Sequence, residues 1–245
     1  MTVWPSGYRH IHFLKIDSTN DEARRLAAAG DRGLVWITAD EQTAGRGRRG
    51  RLWVSTRGNL FATLLLNPRR PVAECAQLSF VTAVAAADTM THFAPDTEVK
   101  VKWPNDVLAN GSKISGILLE SASGGGDLYF LAIGLGINLA HFPTGTEFPA
   151  TSLAQLSVPV PPPREALIEL AATFAKWYDV WVGQGFSPIR DAWLARAANL
   201  GGHIRARLTN EEARGVFEGI DETGALILRE GVGRTRTIAA GEVFF

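Results

Sequence analysis

The chain of 245 residues holds a single cysteine, Cys75. An intrachain disulfide and a thiolate metal cluster are therefore both excluded. Its five histidines, His10, His12, His92, His141 and His203, are scattered. His10 and His12 would share a face on a strand, but no third ligand lies near them in sequence, so a structural metal is not expected. No apolar run reaches the roughly 18 residues that a membrane span needs. The N-terminus lacks a basic region followed by an apolar run, so no signal peptide is expected and the cytoplasm is the default. Charge of one sign is missing too: Lys+Arg and Asp+Glu are 25 each, whereas a dedicated nucleic-acid binder is expected to be net basic. Hydrophobic residues at 46% and charged residues at 20% fit an ordinary globular protein, long enough for a large catalytic domain and a small one.

Against that neutral background one segment stands out. Gly45-Arg46-Gly47-Arg48-Arg49-Gly50-Arg51 interleaves four arginines with three glycines. Glycine lets the backbone approach a ligand closely, and guanidinium forks suit phosphate and carboxylate oxygens. Taken alone, the segment reads as a nucleic-acid contact, a clamp on a small phosphorylated ligand, or a solvated loop. Zero net charge with local basic density favours a local anion site over a long groove.

Around this loop the chain alternates helical and strand patterns. Ser18-Thr19-Asn20-Asp21-Glu22 reads as a helix start, with Thr19 and Glu22 as a capping box, and the helix stops at Gly30. Leu34 to Ala39 and Leu60 to Leu66 read as buried strands. Ala76 to Phe93, free of Gly and Pro, reads as a helix. Val99 to Trp103 alternates as a strand with one face buried, placing Lys100 and Lys102 on its polar face, and Pro104-Asn105-Asp106 ends it. Ile114 to Ser121 and Leu128 to Leu139 are expected strands joined through Gly124-Gly125-Gly126-Asp127, a hairpin signal. After the proline-rich 159–163 connection, Leu167, Leu170, Ala171, Phe174, Trp177, Tyr178 and Trp181 follow helical spacing. From Gly201 the pattern turns to short strands: His203 to Leu208, Gly215 to Ile220, Ala225 to Arg229 and Arg234 to Ile238. The expectation is an α+β fold, a mixed sheet flanked by helices over residues 1–199, followed by a small β-barrel over 200–245.

Five segments in order resemble the biotin protein ligases: Asp17-Ser18-Thr19-Asn20; Gln42 with Gly45 to Arg51 and Trp53; Lys102-Trp103-Pro104-Asn105-Asp106; Lys113 with Gly116-Ile117-Leu118; and Gly134-Leu135-Gly136-Ile137-Asn138. Each is weak alone; together, spanning residues 14–245, they are specific. The resemblance implies a class II synthetase-like catalytic domain and an SH3-like barrel. It implies an enzyme that joins biotin to ATP as biotinyl-5'-AMP, releasing pyrophosphate, then transfers biotin to a lysine of a carboxyl carrier domain, as in acetyl-CoA carboxylase. Mg²⁺ would come with ATP, held mainly by phosphates. Only about 13 residues precede the resemblance, too few for the helix-turn-helix of the DNA-binding members. A monofunctional monomer or weak homodimer, with no specific DNA and no membrane partner, is therefore expected.

The same resemblance distributes the roles. Ser18, Thr19, Asn20, Gln42 and Gly45 would hold biotin's ureido ring, with Gly116, Gly134 and Gly136 admitting its ring and chain. Arg46, Arg48 and Lys113 would neutralise the carboxylate and the α-phosphate that oppose one another. Lys102, Asn105 and Asn138 would face the nucleotide. Arg49 and Arg51 would serve ATP phosphates or merely loop closure, and Trp53 would pin the closed loop or be a plain core tryptophan. Asp106 would orient the acceptor lysine, either that alone or also deprotonating it as a base. The loop is expected to order on biotin binding. The rivals are a lipoate or octanoate ligase of the same fold, whose transferase relatives use a cysteine, and a DNA-binding regulator. Cys75 stands outside every motif.

Overall fold

A computed structural model describes residues 2–124 and 127–245. Seven strands form one mixed sheet in the order β1-β2-β3-β7-β6-β5-β4. They are β1 (Arg9–Ile16), β2 (Val35–Gln42), β3 (Leu60–Leu66), β4 (Val99–Lys102), β5 (Asp106–Ala109), β6 (Ser112–Gly124) and β7 (Asp127–Ile137). β1 and β2 pair in parallel, and the remaining neighbours are antiparallel. The centre is β3, β7 and β6. Every residue of β3 is buried, which is why Leu60 to Leu66 is apolar at every position but Thr63 rather than alternating. The Gly125-Gly126 part of the expected hairpin lies outside the described residues; Gly124 and Asp127 pair as the last register of β6 and β7.

One face of the sheet carries α3 (Leu78–Phe93), α4 (Pro163–Gln184) and α5 (Ser187–Ala195). α3 is buried almost all round. Its small Ala83, Ala85, Ala86 and Ala87 allow close approach, and the hydroxyls of Thr82, Thr89 and Thr91 donate to carbonyls one turn back instead of needing outside partners. α4 lays Phe174 edge-on against Trp36 of β2, with ring centroids 5.8 Å apart. Burying each such side chain stabilises the fold by about 1.5–3 kcal/mol. Pro163 sits at the first turn of α4, where its missing N–H is harmless; the proline-rich connection thus doubles as a helix start. The opposite face carries α1 (Thr19–Ala28), which packs Ala23 and Ala27 against Ile37 and Leu65. A short α2 (Val72–Cys75) precedes α3 and ends at Cys75, buried under no motif.

The C-terminal segment forms a separate five-stranded antiparallel sheet, β11-β10-β9-β8-β12. Its strands are β8 (His203–Arg207), β9 (Glu212–Ile220), β10 (Leu226–Gly231), β11 (Arg234–Ile238) and β12 (Glu242–Phe244). β12 escaped the sequence reading because three residues carry too little pattern. The barrel is fastened to the larger sheet. Trp103 Nε1 donates to Gly224 O at 3.0 Å, Arg190 Nε donates to Ile220 O at 2.6 Å, and Phe80 and Trp193 pack edge to face with Phe217 beyond. Gly224 has φ +87°, and an added Cβ would lie 2.4 Å from the Phe80 ring, so this turn needs glycine twice over.

Two sequence expectations fail in the structure. Thr19 is not the cap of α1: Ser18 occupies that position without a side-chain cap bond, and Thr19 turns its hydroxyl inward. Lys102 is not on a polar face. It is 4% exposed, because the barrel and the 143–148 segment cover the side of β4 that alternation assigned to solvent.

Candidate functional site

A cavity of about 470 Å³ opens between the sheet end, the arginine loop and the barrel. Its walls include Ser18, Thr19, Asn20, Gln42, Arg46, Arg48, Arg51, Trp53, Lys102, Asn105, Asp106, Lys113, Gly116, Gly134, Gly136 and Asn138. Two expected residues do not line it. Gly45 lies behind the wall, where a Cβ would meet Ser55 Oγ at 2.6 Å and Trp53 O at 2.7 Å. Arg49 has φ +56° and turns to Glu242 on the barrel, 3.9 Å away.

The far end of the cavity is a ring of short polar groups. Gln42 Oε1 accepts the backbone N–H of Thr19 at 2.8 Å, and Gln42 Nε2 donates to Ser55 Oγ at 3.0 Å. Asn20 Nδ2 donates to Glu120 Oε2 at 2.7 Å. Thr63 of β3, fully buried, reaches both Thr19 Oγ1 and Asn20 Oδ1. The first turn of α1 delivers Thr19 and Asn20 to the end of β7 because the glycine there leaves room. A Cβ on Gly134 would stand 2.3 Å from Asn20 Oδ1.

The middle of the cavity is floored by Trp53. Its indole lies on Gly136 and Gly116, where added Cβ atoms would fall 2.3 Å and 2.9 Å from ring carbons. The bodies that approach these strand glycines are thus Trp53 and Asn20. Trp53 is half-buried and not a core residue. Its Nε1 is buried without a hydrogen-bond partner, a costly state for a donor. Lys113 Nζ sits 5.4 Å from the indole centroid and 2.6 Å from Asp106 Oδ1. β5 and β6 bring these two together because the Asp106–Gly116 register places Lys113 one bulge away.

Arg46 and Arg51 are held by carboxylates, one from α1 and one from the barrel. Asp21 grips Arg46 with two contacts at 2.7 and 2.9 Å, and Glu120 stands 3.6 Å off. The hydrogen bond from Arg46 draws the Asp21 carboxyl below its ordinary range. Arg48 donates to Asn105 Oδ1 and to Gly241 O, both at 3.2 Å; burial pushes its pKa down. Glu242 of β12 receives Arg51 at 2.8 Å and also Arg207, and Glu147 binds Arg207 at 2.7 Å. The loop therefore bridges sheet and barrel, with a tight turn at Arg48–Gly50 in which Arg49 takes a left-handed backbone. Lys102 lies with Nζ over the Phe148 ring, 2.8 Å from its centroid, with Phe244 at 5.8 Å; burial lowers its pKa to about 7. Asn138, buried, donates from Nδ2 to Thr151 O.

Sequence reasoning gave no site role to Asp21, Thr63, Glu120, Glu147, Phe148 or Glu242. Asp21 adjoins the Asp17-Ser18-Thr19-Asn20 segment, and Glu242 lies in the Gly241-Glu242-Val243 ending that fits the terminal pattern of the SH3-like barrel, so both were within reach. Thr63 sits in an apolar run, and Glu147 and Phe148 in a patternless loop, so nothing in the sequence signalled them.

The mixed sheet and the barrel together close over a cationic, polar-ended cavity. The model described as Biotin/lipoate A/B protein ligase family matches residues 13–138, and that described as Biotin protein ligase C terminal domain matches residues 200–245. The biotin–[acetyl-CoA-carboxylase] ligase of Paracoccus denitrificans is 47% identical over 237 residues, covering 94% of this chain and 98% of that one. The ligase of the same name from Mycobacterium tuberculosis is 34% identical, covering 97% and 90%. The biotin protein ligase from Aquifex aeolicus in complex with biotin and ATP superposes with a TM-score of 0.81 at 25% identity, covering 96% of this chain and 97% of that one. The chain belongs to the biotin protein ligase family. No helix among the described residues is long and apolar enough to cross a membrane.

Proposed function

We propose that the cavity is the site at which this ligase joins biotin to ATP and from which it passes biotin to a lysine of a carboxyl carrier domain. The observation that carries the assignment is the sequence of environments along one cavity. A polar ring stands at Ser18, Thr19, Asn20 and Gln42, an indole floor lies at Trp53, and cations gather at Arg48, Lys102 and Lys113. That order matches a ureido ring, an apolar chain and a carboxylate meeting a phosphate.

In the first step a biotin carboxylate oxygen bonds to the α-phosphorus, and the bond to the β-phosphate oxygen breaks, releasing pyrophosphate. The attack joins two anions. Lys113 and Arg48 oppose that repulsion by neutralising charge as it gathers on the equatorial oxygens. Arg46 is positioned by Asp21, and Arg51 by Glu242; both meet the incoming anions at the cavity mouth. Lys102 and Asn138 flank the nucleotide, and Trp53 Nε1 offers a donor in need of an acceptor. No group of three His, Cys, Asp or Glu gathers as a metal cage among the described residues. Mg²⁺ would come with the nucleotide and be held mainly by its phosphate oxygens, with Asn105 as the side chain that would face it.

In the second step the acceptor amine attacks the acyl carbon and AMP leaves. Asp106 orients the amine and takes its proton. The barrel closes the nucleotide side and contributes to docking the carrier domain. The reading also holds that the protein acts as a monomer or weak homodimer in the cytoplasm.

The test is titration calorimetry with biotin, then with biotin and MgATP while pyrophosphate is followed. Biotin binding with ATP-dependent pyrophosphate release is the expected result. Binding of lipoate or octanoate instead overturns the specificity and keeps the fold.

A further inference from the structure

We infer that Asn59 is a positioning residue for the nucleotide step, fixing the root of the 142–150 segment that walls the nucleotide side of the cavity. The inference rests on the assignment of that side to ATP.

Asn59 stands just before β3, is 3% exposed and does not line the cavity. Its Oδ1 accepts three successive backbone N–H groups, those of Leu139, Ala140 and His141, at 3.0, 2.9 and 3.0 Å. Its Nδ2 donates to His141 O at 2.9 Å. These partners settle the orientation of the amide, because three donors need the oxygen and a carbonyl needs the NH₂. Residues 138–141 follow β7 and belong to no strand, so their N–H groups must find partners outside a ladder. One side chain supplies three of them. Gly58 brings that side chain in. It has φ +97°, and an added Cβ would stand 3.1 Å from Ala140 Cβ, so this close approach needs glycine.

The segment that leaves this root has its other end on Lys113. Lys113 N donates to Pro149 O at 2.8 Å, and Thr151 N donates to Lys113 O at 2.9 Å. Between the two ends, Thr144, Thr146, Glu147 and Phe148 line the cavity. Phe148 places its ring against Lys102 Nζ, and Glu147 reaches Arg207 of the barrel. These residues belong to no helix or strand, so where they stand follows from where the ends are held. Asn138 lies one residue before the clamp. Asn59 therefore acts on the nucleotide through Asn138 and Phe148. The polar end of the cavity is independent of it: among the described residues, the side chains of Thr19, Asn20 and Gln42 bond to one another, to Thr63, to Ser55 and to Glu120, and not to this segment.

The experiment compares wild type with Asn59→Leu and Asn59→Asp. Biotin Kd is read by calorimetry, and KM for MgATP from pyrophosphate release. Leucine keeps the approximate volume and leaves three buried N–H groups without an acceptor. Aspartate keeps an acceptor for all three and loses only the donor to His141 O. Asn59→Leu should raise KM for MgATP about tenfold or more while biotin Kd stays within about threefold of wild type. Asn59→Asp should stay within about threefold of wild type in both. Asn59→Ser, whose hydroxyl is too short to span three N–H groups, serves with the same expected direction as leucine should leucine not fold. A folded leucine or serine variant with wild-type KM for MgATP, one that loses biotin and MgATP equally, or an aspartate variant as impaired as leucine overturns the role of Asn59. Wild type that binds biotin without ATP-dependent pyrophosphate release overturns instead the assignment of the nucleotide side.

Discussion

Lys102 is an ammonium in a place that disfavours charge. It is 4% exposed, lies over the Phe148 ring and has Phe244 and Phe245 within 6 Å. Burial takes its pKa from 10.5 to about 7, with Asp106 working against that shift and Lys113 adding to it. Keeping the ammonium in place at pH 6 then costs on the order of 5 kcal/mol, of which the aromatic contacts offset about 2 kcal/mol. Lys102→Met keeps the stem and removes the charge. The variant should be more stable than the parent by about 3 kcal/mol at pH 6, a rise in Tm of roughly 6–12 °C. The direction with pH follows from proton counts. Unfolded lysine holds its proton to about pH 10.5, while the folded one releases it near 7. Between those values the unfolded state binds more protons, so wild-type stability rises with pH. The advantage of the variant is complete below pH 7 and closes toward pH 10. Thermal unfolding followed by circular dichroism at pH 6, 8 and 10 reads this directly. A variant less stable than wild type at pH 6, or an advantage that stays constant across the three, refutes the reasoning. A phosphate beside Lys102 should return the proton. Nucleotide binding at pH 8 should then take up proton in wild type and not in the variant, seen as a buffer dependence of the binding enthalpy.

Gly136→Ala should displace the Trp53 indole, which stands 2.3 Å from the added atom. We expect at least a tenfold loss of pyrophosphate release with little change in Tm; full activity would show that the indole seat is dispensable. Glu242→Gln removes the shared partner of Arg51 and Arg207 and should loosen the loop by about 1 kcal/mol. Trypsin should then cut after Arg49 and Arg51 several times faster, and unchanged cleavage would refute the bridge. Asp21→Asn frees Arg46. Because the Asp21 pKa is lowered by Arg46, its contribution is present above the ordinary carboxylate pKa and lost as pH falls through the folded value. Wild type and variant should therefore differ in Tm near neutrality and converge in acid.

The outline of this protein was open to reading because its elements obey local rules. The apolar run at Leu60 to Leu66 is a central strand because strands on both sides and packing on both faces leave it no polar option. The switch to short strands after Gly201 marks the barrel. Most of the polar and charged motif residues gather at one cavity because they sit at or just beyond element ends, where a side chain can leave the sheet. What stayed hidden depends on pieces far apart in sequence. Alternation in Val99 to Trp103 says that Lys100 and Lys102 share a face, yet it cannot say what covers that face. The cover comes from Phe148 and from Phe244, more than 40 and 140 residues further on, so a residue with the pattern of a solvated lysine becomes a buried one. The strand glycines show the same limit. Gly116, Gly134 and Gly136 announce that something comes close, but only the fold shows that an indole and an amide arrive before any ligand does. Thr63 is the extreme case. A threonine inside an apolar strand reads as one more β-branched core residue. Its hydroxyl instead meets Thr19 Oγ1 and Asn20 Oδ1 behind the polar end of the cavity, contacts that belong to the assembled site and to no segment within it.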